Sequence, residues 1–185
     1  MAMKIMLDPG HNGLSDPGAV YGGRRESDDV LRLAMAVGTI LSQGGYDVEY
    51  TRTGNAAQSV TQKAQIANQS GADLFVSFHR NMASYPGQYE GIQTLLYDLS
   101  GLKLTMAENI NQNLEGIGFR NISVEARPNL AVLRRTSMPA LLLEVGFIDS
   151  TADNERFDTH FEEIAQAIAD GIMDTLKDAS REDPV

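Results

Sequence analysis

Short apolar runs alternate along this chain with longer stretches in which apolar residues return every three or four positions. Lys4 to Leu7 reads as a short buried strand closed by Asp8-Pro9-Gly10. Apolar positions then fall at Val30, Leu33, Ala34, Val37 and Leu41, the spacing of a helix that packs one face, and Gly44-Gly45 ends it. Ser27 or Asp28 is placed to cap that helix. Val48 to Thr51 is strand-like, and a second helix is expected over residues 60–68, stopping at Gly71. Leu74 to Phe78 has the β-branched and aromatic content of a buried strand, and Ile92 to Tyr97 reads as another. A helix over 102–114 sets Met106, Ile110 and Leu114 on one face. Leu130–Leu133 and Leu141–Val145 read as short strands. The last helix, over 161–176, turns Phe161, Ile164, Ala165, Ile168, Ile172 and Leu176 inward.

Strands alternating with helices predict a single α/β domain, with a central, mostly parallel twisted sheet and helices on both faces. Residues 1–177 are assigned to this domain, and 178–185 to a polar tail or the start of a linker. In such sheets ligands bind beyond the carboxyl ends of the strands. His11, His79 and Glu144 each fall at or just after such an end.

The 185 residues carry a net charge of −10 and no cysteine. Disulfides, thiolate metal sites and a cysteine nucleophile are therefore excluded. The acidity and the lack of a basic patch argue against nucleic acid as a partner. No apolar stretch approaches the length of a membrane span. Met1-Ala2-Met3 runs straight into the first strand without an apolar leader. The expectation is a chain without a signal peptide, made in the cytoplasm and independent of membranes. Oligomeric state is not legible.

Candidate chemistry rests on four residues. His11 follows a Pro-Gly turn, Glu26 ends a glycine-bearing loop, His79 closes an apolar strand, and Glu144 follows Leu141-Leu142-Leu143. Taken singly, most have plainer readings. His11 suits a turn histidine bonded to backbone, Glu26 a first-turn glutamate favoured by the helix dipole, and His79 a hydrogen-bonded strand end. Glu144 departs furthest from its plain reading, because a carboxylate within an apolar run is costly unless it has a task, and burial raises its pKa toward the range of a general base. Together, two imidazoles and a carboxylate form a three-donor set that leaves a metal position open for water. Asp8 is a candidate to orient a ligand imidazole. Asn12, Arg80 and Asn81, polar groups at the same mouth, are candidate substrate contacts. His160 reads as structural or solvated, and Met35, Met106 and Met173 as core. The chain lacks a phosphate-cradling loop, a Gly-x-Ser-x-Gly elbow and a His-Glu-x-x-His helix. The residues alone thus point to a mononuclear metal hydrolase of unspecified substrate.

Four segments in order resemble the type 3 family of N-acetylmuramoyl-L-alanine amidases, zinc-dependent cell-wall enzymes. They are Leu7-Asp8-Pro9-Gly10-His11; Glu26 after its glycine loop; residues 72–81, ending in Ser77-Phe78-His79-Arg80-Asn81; and Leu130-Ala131-Val132-Leu133-Arg134 with residues 139–148 around Glu144. The likeness spans about residues 4–175. It implies one catalytic zinc on His11, Glu26 and His79, Glu144 as catalytic base, and peptidoglycan as partner. The implied reaction cleaves the amide between the lactyl group of N-acetylmuramic acid and L-alanine of the peptide stem. Asn12, Arg80 and Lys63 depart from the commoner family residues, and Thr51-Arg52 matches positions of structural kind. The resemblance implies action at the cell wall, as the catalytic domain of a phage endolysin or an autolysin, with 178–185 leading to a wall-binding domain. Two other readings remain: a non-catalytic wall-binding module of the same fold, and a zinc peptidase on another stem amide.

Overall fold

A computed structural model describes residues 2–182. The chain runs β1 (Lys4–Pro9), β2 (Val20–Tyr21), β3 (Arg24–Arg25), α1 (Glu26–Gln43), β4 (Asp47–Tyr50), α2 (Val60–Ser70), β5 (Leu74–Asn81), β6 (Ile92–Leu96), α3 (Gly101–Gly116), β7 (Asn121–Ala126), α4 (Ala131–Arg135), β8 (Ala140–Phe147), α5 (Thr151–Thr159) and α6 (Phe161–Glu182). Six strands form one sheet in the order β4-β1-β5-β8-β6-β7, and β2 pairs with β3 in a small hairpin. Every neighbouring pair in the large sheet is parallel except β8–β6. The parallel strands β1, β5 and β8 are almost wholly buried, as strands covered on both faces must be.

The larger apolar layer packs α1, α3 and α6 on one face through Leu33, Val37, Met106, Ile110, Ile168 and Ile172. A smaller layer on the other face joins Met6, Phe75, Leu95 and Leu142 to Ala67 of α2 and to Val132 and Leu133 of α4. Ser59 caps α2 in a reciprocal pair with Gln62, and Gly71 ends that helix in the left-handed conformation that favours glycine.

The predicted architecture holds, with local differences. Leu130–Leu133 lies at the start of a helix instead of a strand. A four-residue apolar run does not settle its own period, and here it must cover Leu95 and Leu142 from above. Helix α1 begins at Glu26, before its apolar stripe, with Arg25 as an N-cap whose side chain does not cap the helix but donates to the Gly13 carbonyl. Helix α6 continues through Glu182, past the expected end at 176. Met106 is core, but Met35 is on the surface at 37 % exposure. His160 sits at the surface end of α5 and bonds Glu163. Among the described residues no helix is long and apolar enough to cross a membrane.

Candidate metal centre

The ends of β1 and β5 lie side by side in parallel register, with Pro9 opposite Phe78. Gly10 continues the pairing by donating to the Phe78 carbonyl. A Cβ at Gly10 would sit 2.5 Å from the His79 ring, so glycine is what lets the two chains close. The next residue, His11, takes φ +59°, a left-handed backbone that non-glycine residues seldom adopt. This turns its imidazole back across the strand ends toward His79, the ring centroids standing 5.0 Å apart at 76°.

Glu26 enters from the first turn of α1. Its backbone N–H donates to the Ala19 carbonyl and its Oε2 accepts from the Ala19 N–H, so the glycine loop and the helix start hold each other. Oε2 stands 3.0 Å from Nε2 of His11, and Oε1 2.9 Å from Nδ1 of His79. Oε1 also accepts from the backbone N–H of Arg80. Burial alone would raise the Glu26 pKa, but bonds to both histidines outweigh it and hold the carboxyl far below the usual range. His11 is desolvated, yet Glu26 and Asp16 raise its pKa above the ordinary value.

Sequence reasoning brought these three residues together, and the structure places one donor atom of each within 4.8 Å of the others. Among the described residues, this is the group of His and carboxylate side chains that could hold a metal ion. A fourth observation fits an electrophile there. Glu144 lies directly opposite His79 in the β5–β8 register, and its Oε2 is buried without a hydrogen-bond partner. Burial pushes its pKa up to about 7, with His79 pulling the other way and Glu26 adding to the rise. A buried, unpartnered carboxylate is costly. The cost is offset where a cation or an acidic proton completes the site.

Two sequence expectations change, those for Asp8 and Arg80. Asp8 does not touch either imidazole. It is buried and accepts from Thr51 Oγ1, Ser77 Oγ and Lys63 Nζ. Asp16 instead accepts from Nδ1 of His11 at 2.9 Å and so turns Nε2 toward Glu26. Arg80 cannot contact a substrate. Its side chain is fully enclosed, donates to Asp29 and the Val145 carbonyl, and lies 4.4 Å from the Phe157 ring centroid. Strand alternation explains this, since the residue after His79 must point to the opposite face. Asn12 commits its side-chain carbonyl to the N–H groups of Leu14 and Asp16, holding the loop. Asn81 stays half-buried at the strand end, with Oδ1 accepting from Met82.

Arg52 supports the site from below. Its buried guanidinium donates to the carbonyls of Pro9, Gly10, Ser27 and Gly54, tying the His11 turn to the first turn of α1. Its only sequence signal is an arginine beside a strand end. A cleft of about 520 Å³ opens over His11 and His79, walled by Val60 and Lys63 of α2 and by Leu130 and Val132 at α4.

Gly18 gives a direct test of the donor set. At φ +70°, a Cβ there would lie 2.5 Å from His11 Cδ2 and 2.6 Å from Glu26 Oε2. Gly18→Ala is expected to spread the donors and weaken metal binding by about 10–100-fold, the usual range for disturbing the support of a ligand shell. Competition with a chromogenic chelator reads this directly; unchanged affinity would place the ion elsewhere.

The N-acetylmuramoyl-L-alanine amidase family model matches residues 5–174. The chain is 35 % identical over 176 residues to N-acetylmuramoyl-L-alanine amidase CwlM of Bacillus licheniformis, covering 92 % of this chain and 67 % of that protein. It is 32 % identical over 185 residues to the endolysin of Bacillus phage SPP1, covering 95 % and 67 % respectively. The crystal structure of an N-acetylmuramoyl-L-alanine amidase from Clostridium difficile 630 superposes with a TM-score of 0.87 at 28 % identity, over 95 % of this chain and 97 % of that one. With a family model matching residues 5–174, a relative 35 % identical over 92 % of its length and a solved member superposing over 95 % of it, the chain belongs to the N-acetylmuramoyl-L-alanine amidase family.

Proposed function

We propose that this protein hydrolyses the amide between the lactyl group of N-acetylmuramic acid and L-alanine in peptidoglycan, using one zinc ion held by His11, Glu26 and His79. The observation that carries the reading is the pairing of this three-donor set with an unpartnered carboxylate, Glu144, on the adjacent strand. The donor chemistry suits zinc, which takes imidazole nitrogen and carboxylate oxygen at about 2.0–2.2 Å and in catalytic sites keeps a fourth position free. Such bonds set neighbouring donors about 3.3 Å apart, close to the 3.0 and 2.9 Å separations here. When bound, the ion supplies Lewis acidity, lowering the pKa of water and offsetting negative charge on the acyl oxygen.

The chain's own groups do the remaining work. Glu144 accepts the proton of the attacking water as the new C–O bond forms. It returns that proton to the nitrogen of L-alanine as the C–N bond breaks, leaving a lactyl carboxylate and a free amino terminus. A carboxyl poised near neutral pH suits both halves of that transfer. Asp16 fixes the His11 tautomer, and the half-buried Asn81 is a substrate contact at the rim. The alternative of a non-catalytic wall-binding module leaves the buried Glu144 without a role. Action at the cell wall follows from the substrate.

Digestion of purified peptidoglycan, with and without chelator, tests the reading. New L-alanine amino termini beside intact glycan strands are expected, and their loss on chelation. Amino termini of another stem residue would make the protein a peptidase, and no new ends with metal bound would make it a binding module.

A further inference from the structure

His79, Glu144, Gln93 and Ser123 form a single row across the sheet. His79 pairs with Glu144 between β5 and β8, Glu144 with Gln93 between β8 and β6, and Gln93 with Ser123 between β6 and β7. Side chains paired across strands share a face. In β8 and in β6, Glu144 and Gln93 are the single positions that are not buried. The row is therefore a half-buried polar line, here termed the trough, that starts at Glu144 beside the metal centre and runs to the edge strand.

Beyond Glu144 the trough is built from interlocked polar groups. The Gln93 amide donates to Ser123 Oγ at 3.0 Å and to Glu125 Oε1 at 2.8 Å. Ser123 Oγ also donates to Glu125 Oε1. Glu125 Oε2 lies 2.6 Å from the Arg127 guanidinium, and both side chains reach solvent, at 35 % and 52 % exposure. The Gln93 NH₂ is thus committed, which turns its Oε1 out as an acceptor beside Glu144. This network seals no apolar layer: Ser123, Glu125 and Arg127 belong to neither core cluster.

The geometry points to this trough as the subsite for the peptide stem, with Glu125 receiving the side-chain amine of the stem's third residue, a diamino acid, and Arg127 facing a stem carboxylate. The assignment rests on the amidase reading above. The departing nitrogen must face Glu144 to collect its proton, so the peptide attached to it leads away from the metal donors. The row of polar groups leading away from His79 past Glu144 passes Gln93 and Ser123. Two strand spacings of about 4.8 Å separate Glu144 from Ser123, roughly 10 Å, which is the reach of about three extended residues. The third residue therefore arrives beside Ser123, within side-chain reach of Glu125 two positions along β7, whose carboxylate is already oriented by Gln93 and Ser123. Charge-assisted hydrogen bonds of this kind carry more discrimination than neutral ones.

The test compares two synthetic muramoyl tripeptides, one with a free third-residue side-chain amine and one with that amine acetylated. The metal-loaded wild-type protein is expected to favour the free amine in kcat/KM by about tenfold, mainly through KM. Glu125→Gln is expected to bring that ratio near one, whereas a purely structural role would lower both rates and keep the ratio. Equal wild-type rates on the two substrates, or a ratio that survives in Glu125→Gln, would overturn the subsite. Cleavage of neither substrate by the wild type would instead overturn the amidase reading, a distinct result. The wild-type comparison decides the matter even if Glu125→Gln fails to fold.

Discussion

Glu144→Gln is expected to lower turnover of peptidoglycan by about 10²–10⁴-fold while leaving metal content at the wild-type level. Glutamine fills the same space on β8, so the packing around Leu143 and Val145 is kept. It cannot take up or return a proton, and the reaction needs both acts from one atom pair. The donor set is untouched, because Glu144 is next to His79 in register and is not one of the three grouped donors. The variant also removes a buried, unpartnered carboxylate oxygen, so its melting temperature is expected to match or exceed the wild-type value. An amino-terminal release assay, together with metal analysis, checks both halves. Turnover within a few fold of wild type would remove Glu144 from the chemistry.

The second large effect concerns stability. Lys63→Met is expected to destabilise the fold by about 3–5 kcal/mol near neutral pH, since it strands the buried Asp8 carboxylate without its cation. Lys63 Nζ lies 2.8 Å from Asp8 Oδ1 and 2.5 Å from the Pro9 carbonyl, and both side chains are enclosed. Burial alone would raise the Asp8 pKa, but Lys63, Ser77 and Thr51 together bring it below the ordinary value. A carboxyl depressed in the folded state adds stability above its unfolded pKa of about 3.9, and that stability is lost as pH falls through the folded value. In Lys63→Met the balance inverts, for burial then raises the Asp8 pKa, and the variant gains relative stability on acidification. The gap between the two denaturation curves should be widest near pH 7 and narrow toward pH 4. A constant gap would mean that Asp8 does not respond to Lys63.

The strands and helices that carry a long rhythm are legible from the residues, because α1, α3 and α6 each bury one continuous stripe. What escapes is structure whose reason lies in another segment. The first turn of α1 is polar in sequence, yet Glu26, Ser27 and Asp29 are buried there. Glu26 faces the two histidines, and Asp29 pairs with Arg24 and Arg80. Hydropathy does not register burial that is met by charge. Strand β7 holds just two large apolar residues, Ile122 and Val124, and lies at the exposed edge, so its alternation is too weak to read. The three grouped donors are legible because Pro, Gly and apolar strand ends punctuate the chain around them. Their supports are less so. Asp16 and Asp8 sit on either side of His11 in sequence, and only the left-handed turn at His11 decides which of them its ring meets.

The strand order has a consequence for the timing of synthesis. Strand β8 inserts between β5 and β6, although it is the last strand made. Until residue 147 has left the ribosome, β5 and β6 have no common neighbour and the sheet stays in two pieces. The donors at 11, 26 and 79 are all made in the first half of the chain, and Glu144 comes long after them. On the proposed mechanism, a nascent or prematurely ended chain would thus present the three candidate ligands but not the proposed base. In that mechanism competence arrives in one late step, with the strand that also closes the sheet.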